Sequence, residues 1–297
     1  MKGLSMASVG LIGLGAMGTA LGEALLRQGH NLFVWNRSAG KAASLIASGA
    51  QLAETPMQVV SSTDLTIICL VDCAAVTHVL DGVVGLDGRT VVNLTNGTPE
   101  QARGIADAVA LAGGRYLDGG IMAIPPIIGT PHALVLYSGD EAAYRSHRDT
   151  LEALSTAEFL GADAGLASLL DLSLLAGMYG LFSGVIQATV MAKAGNVPAR
   201  QFSKLLTAWL QAMLLSVDDI SARLDDHRFG QATSPLAMQL VAMENILSTS
   251  RQMGIDPGLI EPMARRIRQR VQRGGGADDI SAIGDEISSS GSAVAAQ

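Results

Sequence analysis

At 297 residues, with 48% hydrophobic and only 16% charged content, the chain is long enough for two domains and too apolar to remain disordered. A formal net charge of −7 and a pI near 5.2 argue against nucleic acid and anionic membrane surfaces as partners, since either would reward a basic patch. Two cysteines, Cys69 and Cys73, stand without a neighbouring histidine, and the five histidines show no ligand spacing, so the expectation is a cytoplasmic protein with no metal and no disulfide framework.

Met1, Lys2 and the small and apolar residues after them faintly resemble a signal peptide, but they run straight into a glycine fingerprint that processing would destroy, and are read as leading into the first strand. Ser8 to Gly13 is a short apolar run that ends in Gly13, Leu14, Gly15, Ala16, Met17 and Gly18, after which Leu21, Ala24 and Leu25 repeat at helical spacing. Strand, tight turn and helix in that order make a dinucleotide fingerprint. The first glycine permits the turn, the second lets a pyrophosphate approach the backbone, and the third lets helix and strand pack closely. The helix N-terminus then offers free N–H groups and a favourable dipole to the anion. A second strand, Asn31 to Trp35, ends without the acidic residue that would bind a ribose 2′-hydroxyl. Asn36, Arg37, Ser38 and Lys41 stand there instead, two cations and two polar side chains suited to a 2′-phosphate, so NADPH is expected over NADH.

The alternation continues through Leu65 to Leu70, a helix after Asp72, Thr90 to Asn93, a helix opened by Thr98, Pro99 and Glu100, and Arg115 to Leu117. This predicts an α/β fold with a doubly wound Rossmann sheet, whose cofactor crevice is lined beyond the strand ends by Leu70, Val71, Asp72, Leu94, Thr95 and Asn96. The apolar segment Ile124 to Pro131, stiffened by three prolines, is expected to roof the nicotinamide. Strand Ala133 to Tyr137, helix Asp140 to Leu154 and a short strand Glu158 to Leu160 complete the reading of this part.

From Asp163 to Lys193 the chain has no proline and no polar face, and Leu172 to Ala192 is a run of 21 uncharged residues, long enough to span a membrane. Ser173, Tyr179, Ser183, Gln187 and Thr189 within it, the lack of a second such span and the flanking nucleotide-fold signals favour a helix buried inside protein. At about 1.5 Å per residue it would be roughly 45 Å long, more than one small domain can wrap. A second subunit is expected to cover it. Beyond Lys193 the pattern is helical only: Arg200 to Val217 after Asn196 and Pro198, a helix opened by Ser234 and Pro235 that carries Met238, Leu240, Met243, Ile246 and Leu247, and an amphipathic helix Pro257 to Arg273. The basic run Arg265 to Arg273 reads as a solvated face, and Ser288 to Gln297 as a fraying tail.

Four stretches together resemble the imine reductases, NADPH-dependent relatives of the β-hydroxyacid dehydrogenases. They are Gly13 to Gly18, the Trp35-Asn36-Arg37-Ser38 cluster with Lys41, Asn93 to Pro99, and Leu160 to Ala167 leading into Asp171 and Tyr179. The resemblance implies an intertwined homodimer with its active cleft between chains: a Rossmann domain over residues 1–162, a long interdomain helix over 163–193, and a C-terminal all-α domain over 194–297 for dimerisation and substrate binding. Asn96, Ile124, Pro125, Trp209, Met213, Met238 and Gln239 are expected to line the substrate pocket.

Within the same fold, the β-hydroxyacid dehydrogenase pattern places a catalytic lysine four residues after Gly165, where this chain has Leu169. Reducing a ketone builds negative charge on oxygen, which a lysine stabilises, whereas reducing an iminium removes positive charge, which a cation opposes. Asp171 and Tyr179, eight residues apart on one helix, differ by about 80° in direction and roughly 12 Å in height, so both can border one cleft. By resemblance, Tyr179 occupies the position where imine reductases carry a tyrosine or aspartate as proton donor or substrate anchor, and Asp171 falls at a variable site. Either is a candidate donor. A carboxylate in so apolar a run is costly unless paired. The implied activity is hydride transfer from NADPH to an imine or iminium carbon, giving an amine, with reductive amination of a ketone by an amine in some members; the alternatives are a 3-hydroxyacid dehydrogenase and a catalytically silent NADPH-binding sensor.

Overall fold

The structure, a computed structural model, describes residues 7–294, with side chains through residue 288; Met1, Lys2 and the last three residues of the expected tail lie outside the described residues. The chain forms two compact units, the first ending at Ala176 and the second beginning at Gly177.

The first unit runs β1 (Ser8–Ile12), α1 (Ala16–Arg27), β2 (Asn31–Trp35), α2 (Ala43–Ala47), β3 (Gln51–Leu52), α3 (Pro56–Ser62), β4 (Leu65–Ile68), α4 (Cys73–Leu80), β5 (Thr90–Asn93), α5 (Pro99–Leu111), β6 (Arg115–Met122), β7 (Leu134–Gly139), α6 (Glu141–Glu152) and β8 (Thr156–Phe159). It ends with the first turns of α7 (Gly165–Ala194). The sheet order is β3-β2-β1-β4-β5-β6-β7-β8, parallel throughout except for the β6–β7 pair. This is the expected doubly wound topology, with the chain leaving β1 for one side of the sheet and returning beside it as β4.

Side chains alternate across each strand, which divides the apolar residues into two cores. Val9, Leu11, Ile67, Val92 and Leu117 point to one face and pack with Leu21 and Leu25 of α1, Leu45 of α2 and Leu151 of α6. Ile12, Ile68, Val91 and Tyr116 point to the other and pack with Val59 of α3, Val76 of α4, and Ile105 and Val109 of α5. Each fully buried leucine or isoleucine contributes about 1.5–3 kcal/mol, so helices on both faces are needed to bury a sheet this apolar. Both cysteines are free thiols, and burial pushes Cys69 up to about 11.

Strand β6 runs to Met122, beyond the expected Leu117, because Gly119 and Gly120 continue it where strand propensity is low. Short elements between residues 39 and 62, and the 3-10 turn Pro125–Ile127 within the proline-stiffened segment, add to the expected set.

The second unit contains the rest of α7, α8 (Ala199–Leu214), α9 (Val217–Asp225), α10 (Leu236–Gln252), α11 (Glu261–Arg270) and α12 (Ile283–Val294). Leu236, Ile267, Ala282 and Ile283 form its core, with Phe229, Leu240 and Met243 against it. The long helix is left open by its own chain, as its length implies: only 6% of its most apolar window is buried, because no single layer of helices wraps a 30-residue apolar rod. Two expectations are corrected here. The basic run is not simply solvated, since Arg268 pairs with Glu244, Arg270 with Asp278 and Arg273 with the buried Glu286. The residues from Ser288 to Val294 belong to α12 rather than to a frayed tail.

Candidate cofactor and catalytic site

The turn after β1 has the geometry its glycines predict. Gly13 has φ +99°, and an added Cβ would lie 2.2 Å from the Cys69 carbonyl oxygen; at Gly18 a Cβ would lie 1.9 Å from the Gly13 oxygen. Both must be glycine for turn, helix and neighbouring strand to meet. Gly15 differs, because a Cβ there would meet no atom within 4 Å, leaving open space over the N-terminus of α1. That N-terminus has no side-chain cap and no acidic residue in its first turn, so the N–H groups of Ala16 and Met17 face a site suited to an anion. Leu14 is buried in the core below.

Asn36 accepts from the Leu14 N–H at 3.0 Å and donates to the Ser38 carbonyl at 3.0 Å, fastening the end of β2 to the glycine turn. It serves as a brace and leaves the cations free: Arg37 and Lys41 are exposed, as is Ser38. On the other side of β1, Thr95 is buried and its hydroxyl accepts from the Leu70 N–H at 2.9 Å, joining the ends of β4 and β5, while Val71 next to it is 86% exposed. A glycine turn, an uncapped helix N-terminus and a pair of exposed cations at the end of β2 fit a phosphorylated dinucleotide.

Asp171 lies 6% exposed on the second turn of α7. Asn96 donates to its Oδ2 at 2.8 Å, and Gly120 faces it so closely that an added Cβ would come within 2.7 Å of the Asp171 Cβ. Burial raises its pKa above the ordinary carboxylate value, and the Asn96 hydrogen bond works against that rise. Leu169 is about half exposed, and no cation takes the lysine position of the hydroxyacid dehydrogenase pattern.

A second buried acid, Asp118 of β6, is absent from the sequence reading. Ser168 donates to it at 2.5 Å, Tyr116 at 3.0 Å and Asn93 at 3.4 Å. Burial pushes its pKa up to about 6 against the opposing effect of these donors. A lone aspartate inside β6 is the signal that could have found it, since so buried a setting demands partners.

Of the other expected pocket residues, Ile124 is 63% exposed after β6 and Pro125 opens the 3-10 turn. In the second unit Trp209 and Met213 stand one turn apart on α8, both exposed, and Met238 is exposed in the first turn of α10 beside Gln239, which donates to the Ser234 carbonyl at 2.7 Å. Tyr179 is exposed and packs edge-on against Phe182. Among these candidates, the structure brings Asn96 and Asp171 together by a direct hydrogen bond.

Residues 8–161 match the NAD-binding domain of 6-phosphogluconate dehydrogenase, and residues 163–289 match the C-terminal domain of NADPH-dependent reductive aminase-like proteins. The NADPH-dependent reductive aminase of Aspergillus oryzae is 44% identical over 280 residues, covering 93% of this chain and 95% of the relative. The chain belongs to the reductive aminase and imine reductase family. A reductive aminase from Aspergillus terreus, solved in complex with NADPH and ethyl levulinate, superposes with a TM-score of 0.91 at 44% identity, covering 95% of this chain and 100% of that one. An imine reductase from the same organism, in complex with NADPH4 and dibenz[c,e]azepine, superposes with a TM-score of 0.89 at 44% identity over 95% and 99% of the two chains. The Rossmann-type sheet, the long helix and the C-terminal helical unit described above are thus those of an imine reductase-type enzyme.

Proposed function

We propose that this member of the reductive aminase family reduces an imine or iminium to an amine with NADPH, and takes a ketone together with an amine as substrates. The observation that carries this reading is the start of α7: leucine stands at position 169, where the hydroxyacid dehydrogenase pattern has its lysine, and the buried Asp171 carboxylate is held by an amide rather than by a cation. A site without that cation tolerates a positive substrate and disfavours a developing oxyanion. NADPH, when bound, supplies the hydride. Gly15 and the uncapped start of α1 would hold the pyrophosphate, with Arg37 and Lys41 on the 2′-phosphate, while Thr95 and Asn36 keep the strand ends in register around it. A neutral imine that gains hydride at carbon must gain one proton at nitrogen, and Tyr179 and Asp171 are the two groups assigned to deliver it or to hold the charged form. The remaining expected residues, Ile124, Pro125, Trp209, Met213, Met238 and Gln239, supply apolar and amide surface for the substrate.

One assay tests both reaction and cofactor. A small cyclic imine should oxidise NADPH in the presence of the protein, and a hydroxyacid with NADP⁺ should not react; the reverse result would make it a hydroxyacid dehydrogenase, and silence in both would make it a sensor. Charge-assisted hydrogen bonds contribute roughly 1.5–3 kcal/mol each. Arg37→Ala is therefore expected to raise the NADPH KM about tenfold to a hundredfold and to leave NADH almost unchanged, and equal losses for the two cofactors would remove Arg37 from the 2′-phosphate.

We also read the enzyme as a cytoplasmic homodimer. Leu174, Phe182, Ile186 and Val190 of α7 are each 43% or more exposed. An open apolar groove of about 550 Å³ lies between Gln187, Met191, Phe202, Met243, Ile246 and Met263 in the second unit. Contiguous apolar surface of this kind marks an interface, and a membrane is disfavoured by Gln187, which is buried and donates to Ser250 at 3.2 Å. Light scattering is expected to give twice the chain mass at all workable concentrations. An active monomer would refute the reading.

A further inference from the structure

We propose that Asp118 is a positioning residue which, through Ser168, fixes the Asp171 carboxylate in the active site; the inference rests on the role given to Asp171 above. Asp118 and Gly120 are two residues apart on β6 and so face the same side of the sheet, the side on which α7 begins. On that side Ser168 donates to Asp118 at 2.5 Å, and one turn later the Asp171 side chain packs into the space that Gly120 leaves by lacking a Cβ. The strand therefore reads out one face of the helix at two successive points, a grip and a gap.

The grip is connected to the same carboxylate by a second route. Asn93 donates to Tyr116 and to Asp118, and its Oδ1 accepts from the Thr95 N–H at 3.1 Å. Thr95 precedes Asn96, whose amide donates to Asp171 at 2.8 Å. The hydrogen bonds and the intervening chain close a ring: Asp171, Asn96, Thr95, Asn93, Asp118, Ser168 and back along one helical turn. Asp118 is 1% exposed and joins the two arms of this ring at the end opposite Asp171. A buried carboxylate costs stability unless every partner is in place, so an acid at this point of the strand calls for a role beyond packing.

Ser168→Ala is the decisive variant, because the start of α7 stays fastened without it. Ser138 still donates to the Ala164 carbonyl and accepts from the Ala167 N–H, and Arg103 still grips Asp163 with two hydrogen bonds. Loss of the Ser168 hydroxyl leaves Asp118 with only the backbone N–H of residue 168 on this turn and loosens it by a fraction of an ångström to an ångström, enough to cost on the order of tenfold to a hundredfold in kcat where positioning matters. The NADPH Kd, read by fluorescence of the bound cofactor, is expected to change less than about twofold. The same substitution made in an Asp171→Asn background should cost less than about twofold further, since its effect passes through the carboxylate already removed. Asp118→Asn should reproduce the kcat loss if it folds. If Asp171→Asn lowers kcat but the Ser168→Ala loss adds to it in full, or if Ser168→Ala lowers only the melting temperature, Asp118 is a structural acid and the inference is wrong. If Asp171→Asn leaves both kcat and the KM for cationic substrates intact, the role of Asp171 falls first, and this inference with it.

Discussion

Gly18→Ala is expected to abolish measurable NADPH binding and to lower the melting temperature, whereas Gly15→Ala should fold like the parent protein and lose only affinity. The asymmetry follows from what each new methyl would meet. At Gly18 it would sit 1.9 Å from the Gly13 carbonyl oxygen and 2.9 Å from its carbon, backbone atoms that cannot swing aside. Helix α1 would have to lift away from the turn, carrying with it Leu21 and Leu25, both fully buried against the sheet. Overpacking of this kind costs typically about 1–3 kcal/mol and more when backbone must move, which for a chain of this size lowers the melting temperature by several degrees. At Gly15 no atom lies within 4 Å, so the methyl costs the fold nothing and intrudes only on the space left for the pyrophosphate. Melting curves with and without excess NADPH separate the two effects, because a ligand stabilises the native state in proportion to ln(1 + L/Kd), where L is its free concentration. Full NADPH stabilisation of the Gly15→Ala protein would show that the open space over α1 is not where the cofactor lies.

This contrast also marks how far the sequence could be read. The spacing of Gly13, Gly15 and Gly18 between an apolar run and a helical repeat names a phosphate-binding turn, because backbone geometry leaves few other uses for three glycines there. The regular strands were legible for the same reason: Asn31–Trp35 and Thr90–Asn93 are bounded as their apolar runs suggest. Strand β6 was not, since Gly119 and Gly120 look like a turn until the structure shows β7 beside the first and Asp171 beside the second. Helix α3 went unread because seven residues are too few for periodicity to register, and in the structure Thr55 caps it and Pro56 opens its first turn. Asn96 was expected at the crevice by its place after β5, and that place brought it to Asp171. Asp118 and Ser168 are 50 positions apart, and no local pattern pairs them. The exposure of α7 could be inferred from length alone, because one chain of this size cannot surround so long an apolar helix.

Tyr179→Phe is expected to lower the rate with an unprotonated imine by about 10² to 10⁴-fold, the usual contribution of a general acid. Within its own chain Tyr179 is 63% exposed and its ring packs edge-on against Phe182, with centroids 6.4 Å apart. Phenylalanine preserves that contact, so the substitution removes a hydroxyl and nothing else from the second unit. A substrate that is already an iminium cation needs no proton, and with it the loss should shrink towards unity. Asp171→Asn offers the complementary measurement. It removes the charge at nearly constant volume while the Asn96 partner remains, so an electrostatic role predicts weaker binding of cationic substrates with the fold preserved. Because burial raises the Asp171 pKa, its carboxyl gains a proton at a higher pH than a solvated aspartate would. If Asp171 is the donor, the rate with a neutral imine should therefore rise as pH falls through that raised value, and Asp171→Asn should flatten this limb while Tyr179→Phe leaves it in place. If Tyr179→Phe keeps most of the activity with both substrate types, the hydroxyl is not the donor and the proton comes from Asp171 or from solvent, which the pH limb of the Asp171→Asn protein then distinguishes.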